Sequence, residues 1–179
     1  MSVLLILVLG LLLPASTIPA QSTAREVQVY FSPKGGCTQA VVDTLGKAKG
    51  SVFVQAYSFT STPIAKALVE AHKRGVKVSV LVDKSQRSEK YTSATFLFNN
   101  GIPCSVDAKH TIAHNKVMVI DGETVITGSF NFTKAAEESN AENLLVIKDA
   151  QLAKTYSVNW HQHAEHSETY EGFHKPMPR

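Results

Sequence analysis

The segment IAHNKVMVIDGETVITGSFNFTKAA, Ile112 to Ala136, sets a histidine, a lysine and a Gly-Ser-x-Asn turn into a stretch otherwise as apolar as a half-buried strand. Side chains alternate along a strand, so His114, Lys116, Met118 and Ile120 fall on one face and Asn115, Val117 and Val119 on the other. Asp121-Gly122 is a strong hairpin signal. The returning strand then ends at Gly128-Ser129-Phe130-Asn131, level with His114. One end of a rigid hairpin thereby gathers an imidazole, an ammonium, a hydroxyl and a carboxamide. Three of these groups donate hydrogen bonds to an anion and one can act as a nucleophile, a set suited to a phosphate.

Taken singly, these residues say little. A lone strand histidine is more often structural, a lone lysine usually snorkels to water, and Gly-Ser-x-Asn is commonly only a turn. The weight lies in the spacing: His-x-Lys, four residues, Asp121, six residues, then Gly-Ser-x-Asn. That spacing is the signature of the phospholipase D superfamily. Together with AYSFTSTPIAKALVEAHKRGVKV and GSFNFTKAAEESNAENLLVI, it makes the chain resemble the superfamily's small bacterial endonucleases, which carry one motif per chain and a signal peptide. The resemblance runs from about Val27 to His166.

What the resemblance implies is metal-independent hydrolysis of phosphodiesters through a phosphohistidine. Carried over residue by residue, it makes His114 the nucleophile or acid, lets Lys116, Ser129 and Asn131 hold the phosphate oxygens, and assigns Glu142 to orienting the imidazole. Asp121 matches the signature's aspartate and joins the catalytic set, although its place in an Asp-Gly turn equally suits a structural role. In-line displacement needs an attacking group on one side of the phosphorus and a proton donor on the other. One imidazole cannot occupy both places, so a homodimer with one active site on its two-fold axis is expected. Lysine charge replaces a cation in this scheme. No metal and no cofactor is predicted.

The elements that must position these groups alternate along the chain. VQVYF, SVFVQAYSF and VKVSVLV read as strands, separated by helices over Thr38 to Lys49 and from Ser61-Thr62-Pro63 to Gly75. Asp83 to Tyr91 reads as a polar loop and SATFLFNNG as a short helix. IPCSVD, the Ile112–Ala136 hairpin and ENLLVI supply further strands, and AQLAKTYSVNWHQHAEH a last helix with Trp160 on its buried side. This rhythm predicts an α/β fold with a mixed, mostly parallel central sheet flanked by helices on both faces.

Composition bounds the rest. With 179 residues, 44% apolar and 18% charged, the chain suits one folded domain. Residues 1–24 carry no charged side chain and hold an apolar run, Val3 to Leu13, shorter than the about 20 residues of a membrane-spanning helix. They read as a signal peptide, with an uncleaved anchor as the alternative. The domain then covers 25–171 and the tail 172–179. A periplasmic or secreted bacterial protein with no stable membrane association after cleavage is expected. Cys37 and Cys104 fit either one disulfide or two free thiols.

Net charge is +3, but Lys66, Lys73, Arg74, Lys77, Lys84, Arg87 and Lys90 are bunched and could either attract a polyanion or simply form a solvated face. Tyr57 and Phe59 suit stacking on a single strand or, more simply, core packing. Of His161, His163 and His166, only the last two share a helical face, which favours a solvated helix end over a metal site. The leading functional expectation is a nonspecific endonuclease for DNA, with RNA as a second substrate. Hydrolysis of lipid phosphodiesters, as by a phospholipase D or cardiolipin hydrolase, is the second, and a nucleic-acid-binding module without turnover the third.

Overall fold

The chain forms eight strands, β1 (Glu26–Ser32), β2 (Ser51–Ala56), β3 (Lys77–Asp83), β4 (Cys104–Asp107), β5 (Lys116–Ile120), β6 (Thr124–Gly128), β7 (Glu142–Lys148) and β8 (Glu168–Thr169), all but the two-residue β8 drawn from apolar-rich segments. The helices are α1 (Cys37–Gly46), α2 (Thr62–Lys73), α3 (Ser93–Asn99), α4 (Lys134–Glu138) and α5 (Ala150–Ala164). This computed structural model describes residues 25–172; the segment read as a signal peptide and the tail beyond Gly172 lie outside the described residues.

The strands form one sheet in the order β1-β7-β6-β5-β2-β3-β4-β8. Alternation sorts its residues between two layers. Val52, Val54, Met118, Ile120 and Leu144 pack with Val41 and Leu45 of α1 and Leu68 of α2. Val117, Val119 and Val125 point the other way, against Ala153 of α5, with Phe53, Leu152 and Tyr156 alongside. Helices therefore cover both faces, as expected. Trp160 is buried on the α5 side, where its indole Nε1 donates to Val54 O at 2.9 Å and its ring stacks on Phe53.

The expected dominance of parallel pairing does not hold. Only β2–β3 and β3–β4 are parallel, whereas β1–β7, β7–β6, β6–β5, β5–β2 and β4–β8 are antiparallel. A helical crossover from β1 to β2 suggested neighbouring parallel strands, but β1 lies at the sheet edge with β7, β6 and β5 between it and β2. Local sequence does not encode which strand a crossover skips. The polar loop after β3 is also partly ordered, as a 3-10 turn over Lys84–Arg87 that the Asp83 carboxylate caps by accepting from Ser85 N.

Among the described residues no helix is long and apolar enough to cross a membrane. Cys37 and Cys104 are buried and unpaired. Burial is the main cause that pushes the thiols up, Cys37 to about 11 and Cys104 to about 12. A thiolate is the reactive form, so both should be inert in the native chain. A thiol-reactive chromophore at pH 8 is expected to label neither cysteine before denaturation and both after it, without reductant; zero labels after denaturation would reveal a disulfide instead.

Candidate active site

His114, Lys116, Gly128, Ser129, Asn131 and Glu142 line one open depression of about 380 Å³. The antiparallel register Met118↔Ile126 brings the end of β6 back toward the start of β5. Glu142 opens β7, which continues the pairing on the other side of β6. Five of the six residues expected to be catalytic are thus brought together.

His114 precedes β5 rather than lying in it. Its loop is tied down on both sides: the buried Asp83 carboxylate accepts from Ala113 N at 2.7 Å, and Asn115 O accepts from Tyr57 N at 2.9 Å. The second contact sets the Tyr57 ring 4.5 Å from the imidazole. Tyr57 is half-buried beside the site, whereas Phe59 is core, packed edge-on against Phe132. Sequence alternation alone could not separate the two aromatics.

Lys116 is 7% exposed, although its charge would favour water. Its Nζ donates to His114 O at 2.8 Å, approaches His114 Nδ1 at 3.0 Å and lies 5.2 Å from the centre of the Tyr57 ring. Burial lowers its affinity for a proton, and the Glu142 carboxylate offsets part of that, leaving the ammonium below the usual lysine range. Glu142 makes its side-chain hydrogen bond with Asn140 Nδ2, at 3.3 Å, and none with the imidazole. The expected Glu142–His114 contact is therefore absent among the described residues, and Lys116 takes its place at Nδ1. With the ammonium donating there, the neutral ring carries its proton on Nε2, facing outward from the pair.

The Gly-Ser-x-Asn segment is held from below. Asn143 O accepts from Ser129 N and Phe130 N, both at 3.1 Å, and Ser129 Oγ accepts from Asn143 N at 3.0 Å. The Ser129 hydroxyl proton remains available to an anion. Gly128 permits this close approach: it has φ +144°, and an added Cβ would meet Asn143 O at 2.3 Å. Phe132 O, one residue past Asn131, accepts from Thr60 N and Ser61 N. Asn131 Oδ1 is buried and finds no partner among the described residues, a cost that a ligand donor would relieve.

Asp121 must be removed from the catalytic set. It sits at the other end of β5, so the strand from Lys116 to Ile120 separates it from the depression by about 16 Å at 3.3 Å per residue. There its Oδ1 accepts from Gly50 N at 2.7 Å and Ser51 N at 2.9 Å, while Oδ2 accepts from Lys49 N at 3.0 Å. Burial opposes ionisation, yet these backbone donors outweigh it and hold the carboxyl below the ordinary range. Asp121 is the anchor that fixes the hairpin turn to the start of β2.

The bunched basic residues do not form one free surface. Arg74 donates to Leu45 O at the end of α1, Lys73 pairs with Glu70, Arg87 pairs with Glu168, and Lys84 donates to His110 O. Sequence reading also missed a second cluster at the same sheet edge. His163 and His166 are not a solvated helix end, because they converge with His110 on the buried Asp107. Nothing local in the sequence links residues so far apart.

Residues 41–164 match the family described as "Cardiolipin synthase, PLD-like domain". A protein of Rickettsia typhi named phospholipase D is 46% identical over 136 residues, covering 76% of this chain and 67% of the relative. A Xenopus laevis protein named mitochondrial cardiolipin hydrolase is 33% identical over 119 residues, covering 66% of this chain and 56% of the relative. The crystal structure of a phospholipase D family member, Nuc from Salmonella typhimurium, is 39% identical with a TM-score of 0.79, covering 82% of this chain and 99% of that one.

Replacing Asp121 by Asn keeps an oxygen for part of this network but points amide hydrogens at a backbone N–H. The variant is expected to lose about 1–3 kcal/mol of stability in urea unfolding while keeping its turnover. In the native protein the carboxylate's contribution is fully present above its unfolded pKa, about 3.9, and is lost as pH falls toward the lower folded value. The gap between variant and native protein should therefore narrow below about pH 4. Loss of turnover at unchanged stability would return Asp121 to the catalytic set.

Proposed function

The chain belongs to the phospholipase D-like family, and from that premise we propose that it is an endonuclease, cutting DNA backbones, with RNA as a second substrate, without a metal ion and with little sequence preference. Phosphodiester hydrolysis is the reaction class of its relatives, and the depression around His114 is built for it. The observation that carries the reading is the convergence of one imidazole, one buried ammonium, a free hydroxyl proton and a carboxamide on a single open site. An open site at a sheet edge admits a polymer backbone, and likeness to Nuc over nearly all of that chain supports the same choice.

In this mechanism Lys116, Ser129 and Asn131 bind the phosphate oxygens and offset the charge that grows on them. One His114 attacks phosphorus through Nε2. A second His114, protonated on both ring nitrogens, gives its Nε2 proton to the leaving oxygen and then takes a proton from the hydrolytic water. The Lys116–His114 pairing described above holds the neutral ring in its Nε2–H tautomer. The attacking ring needs the opposite one, with Nδ1–H given to an acceptor, and Glu142 is the carboxylate in the same depression able to receive it. Two copies of one chain can supply both states only as a homodimer.

Dimerisation finds support in an uncovered surface. Val27, Val29 and Phe31 alternate on the α5 face of edge strand β1 and are 46%, 49% and 66% exposed. Phe31 stands opposite Asn143, next to Glu142. Export to the periplasm or beyond, through residues 1–24, completes the reading.

A second reading, hydrolysis of lipid phosphodiesters, is favoured by the names of the Rickettsia and Xenopus relatives. The two are separated by offering supercoiled plasmid and vesicles of phosphatidylcholine with cardiolipin side by side, each with EDTA. Plasmid nicking in EDTA, reduced at least about 1,000-fold in His114→Ala, is expected; phosphatidic acid release with no nicking would select the lipid reading. A strictly monomeric, fully active preparation by light scattering would contradict the shared site.

A further inference from the structure

At the sheet edge that carries the candidate active site, Asp107 closes β4, His110 follows in the loop toward His114, and His163 and His166 come from the last turn of α5 and just beyond it. Asp107 is 1% exposed. Its Oδ2 lies 2.7 Å from His163 Nδ1 and 2.9 Å from His110 Nδ1, and its Oδ1 lies 3.3 Å from His166 Nε2. One donor atom from each of the four residues falls within 4.8 Å of every other.

Hydrogen bonding to the carboxylate explains only part of this arrangement. Asp107 already accepts from Lys109 N, His110 N, His110 Nδ1 and His163 Nδ1. Those donors fill the acceptor capacity of two carboxylate oxygens. The third imidazole is surplus: His166 Nε2 is buried, close to Asp107 Oδ1, and yet not aligned to bond to it. Atoms at contact distance that do not point at each other are what two ligands of a common ion look like. Tetrahedral zinc with bonds of 2.0–2.1 Å sets its donors about 3.3 Å apart; His166 Nε2 and Asp107 Oδ1 stand at 3.3 Å, and the whole set, within 4.8 Å, is near enough to close on one ion. Three imidazoles with one carboxylate are borderline ligands suited to that ion, and four protein donors leave no open position.

We infer that Asp107, His110, His163 and His166 form a structural zinc site. The ion joins the end of β4, the loop that leads into His114 and the end of α5, the three segments that supply its ligands. None of its four ligands lines the depression around His114, so the ion is compatible with chelator-resistant turnover as long as the apo protein remains folded at the assay temperature.

The test uses the untagged full chain. Elemental analysis is expected to find about one zinc per chain. After dialysis against a chelator, zinc at a hundredfold excess over its Kd should raise the melting midpoint by roughly 5–10 °C, and magnesium should not. Cobalt(II) should give the intense visible absorption of a tetrahedral site. His163→Ala and His166→Gln are expected to lose the zinc-dependent shift and the cobalt band, while His114→Ala keeps both. A stripped native protein whose midpoint ignores zinc and whose cobalt form stays pale would overturn the site, with no variant needed. A response lost in His114→Ala but kept in His166→Gln would overturn it as well, by moving the ion to the phosphate site.

Discussion

Everything at the candidate active site depends on the register of β5 against β6. Pairing Met118 with Ile126 puts His114 and the Gly-Ser-x-Asn segment at the same level. A slip of one residue would turn Lys116 into the α5 layer and bury a charge against Val125 and Ala153. The register is fixed from the far end. Asp121 adopts φ 56° in the turn, and its carboxylate gathers three backbone N–H groups from the start of β2. An aspartate outside the depression therefore helps to hold the hairpin that builds it.

Once the hairpin is set, the neighbouring strands convert it into a chemical environment. β2 brings Tyr57 against the imidazole, and β7 brings Glu142 into the depression and Asn143 beneath Ser129. Lys116 points into the layer occupied by Met118 and Ile120, which explains both its burial and its lowered proton affinity. Such a lysine stays charged because a carboxylate and a carbonyl oxygen face it, and it supplies positive charge without the mobility of an exposed side chain. The same sheet edge collects Asp83 and Asp107, whose carboxylates hold the loop that ends at His114.

Much of this was legible in the sequence because it is local. The period-two pattern, the Asp-Gly turn and the spacing from His114 to Asn131 all lie within one hairpin, and short-range geometry suffices to predict that their side chains converge. Family membership rests on this segment together with the rest of residues 41–164. Features set by distant pairing were not legible. The placement of β1 beside β7 joins residues more than a hundred positions apart, and no local signal says that α1 carries the chain past three strands. The Asp107 cluster is of the same kind: its histidines read as a helix end until the fold brings β4 against α5. Asp121 shows a third limit, since membership of a signature marks a residue as needed without saying whether chemistry or architecture needs it.

The most direct test of the proposed reaction is the covalent state of His114 during turnover. Intact-mass spectrometry and peptide mapping after an alkaline quench, which preserves phosphohistidine, should find a substrate phosphoryl adduct on His114 at no more than one per two chains. An adduct on another residue, or one on every chain, would contradict a single site shared by two imidazoles.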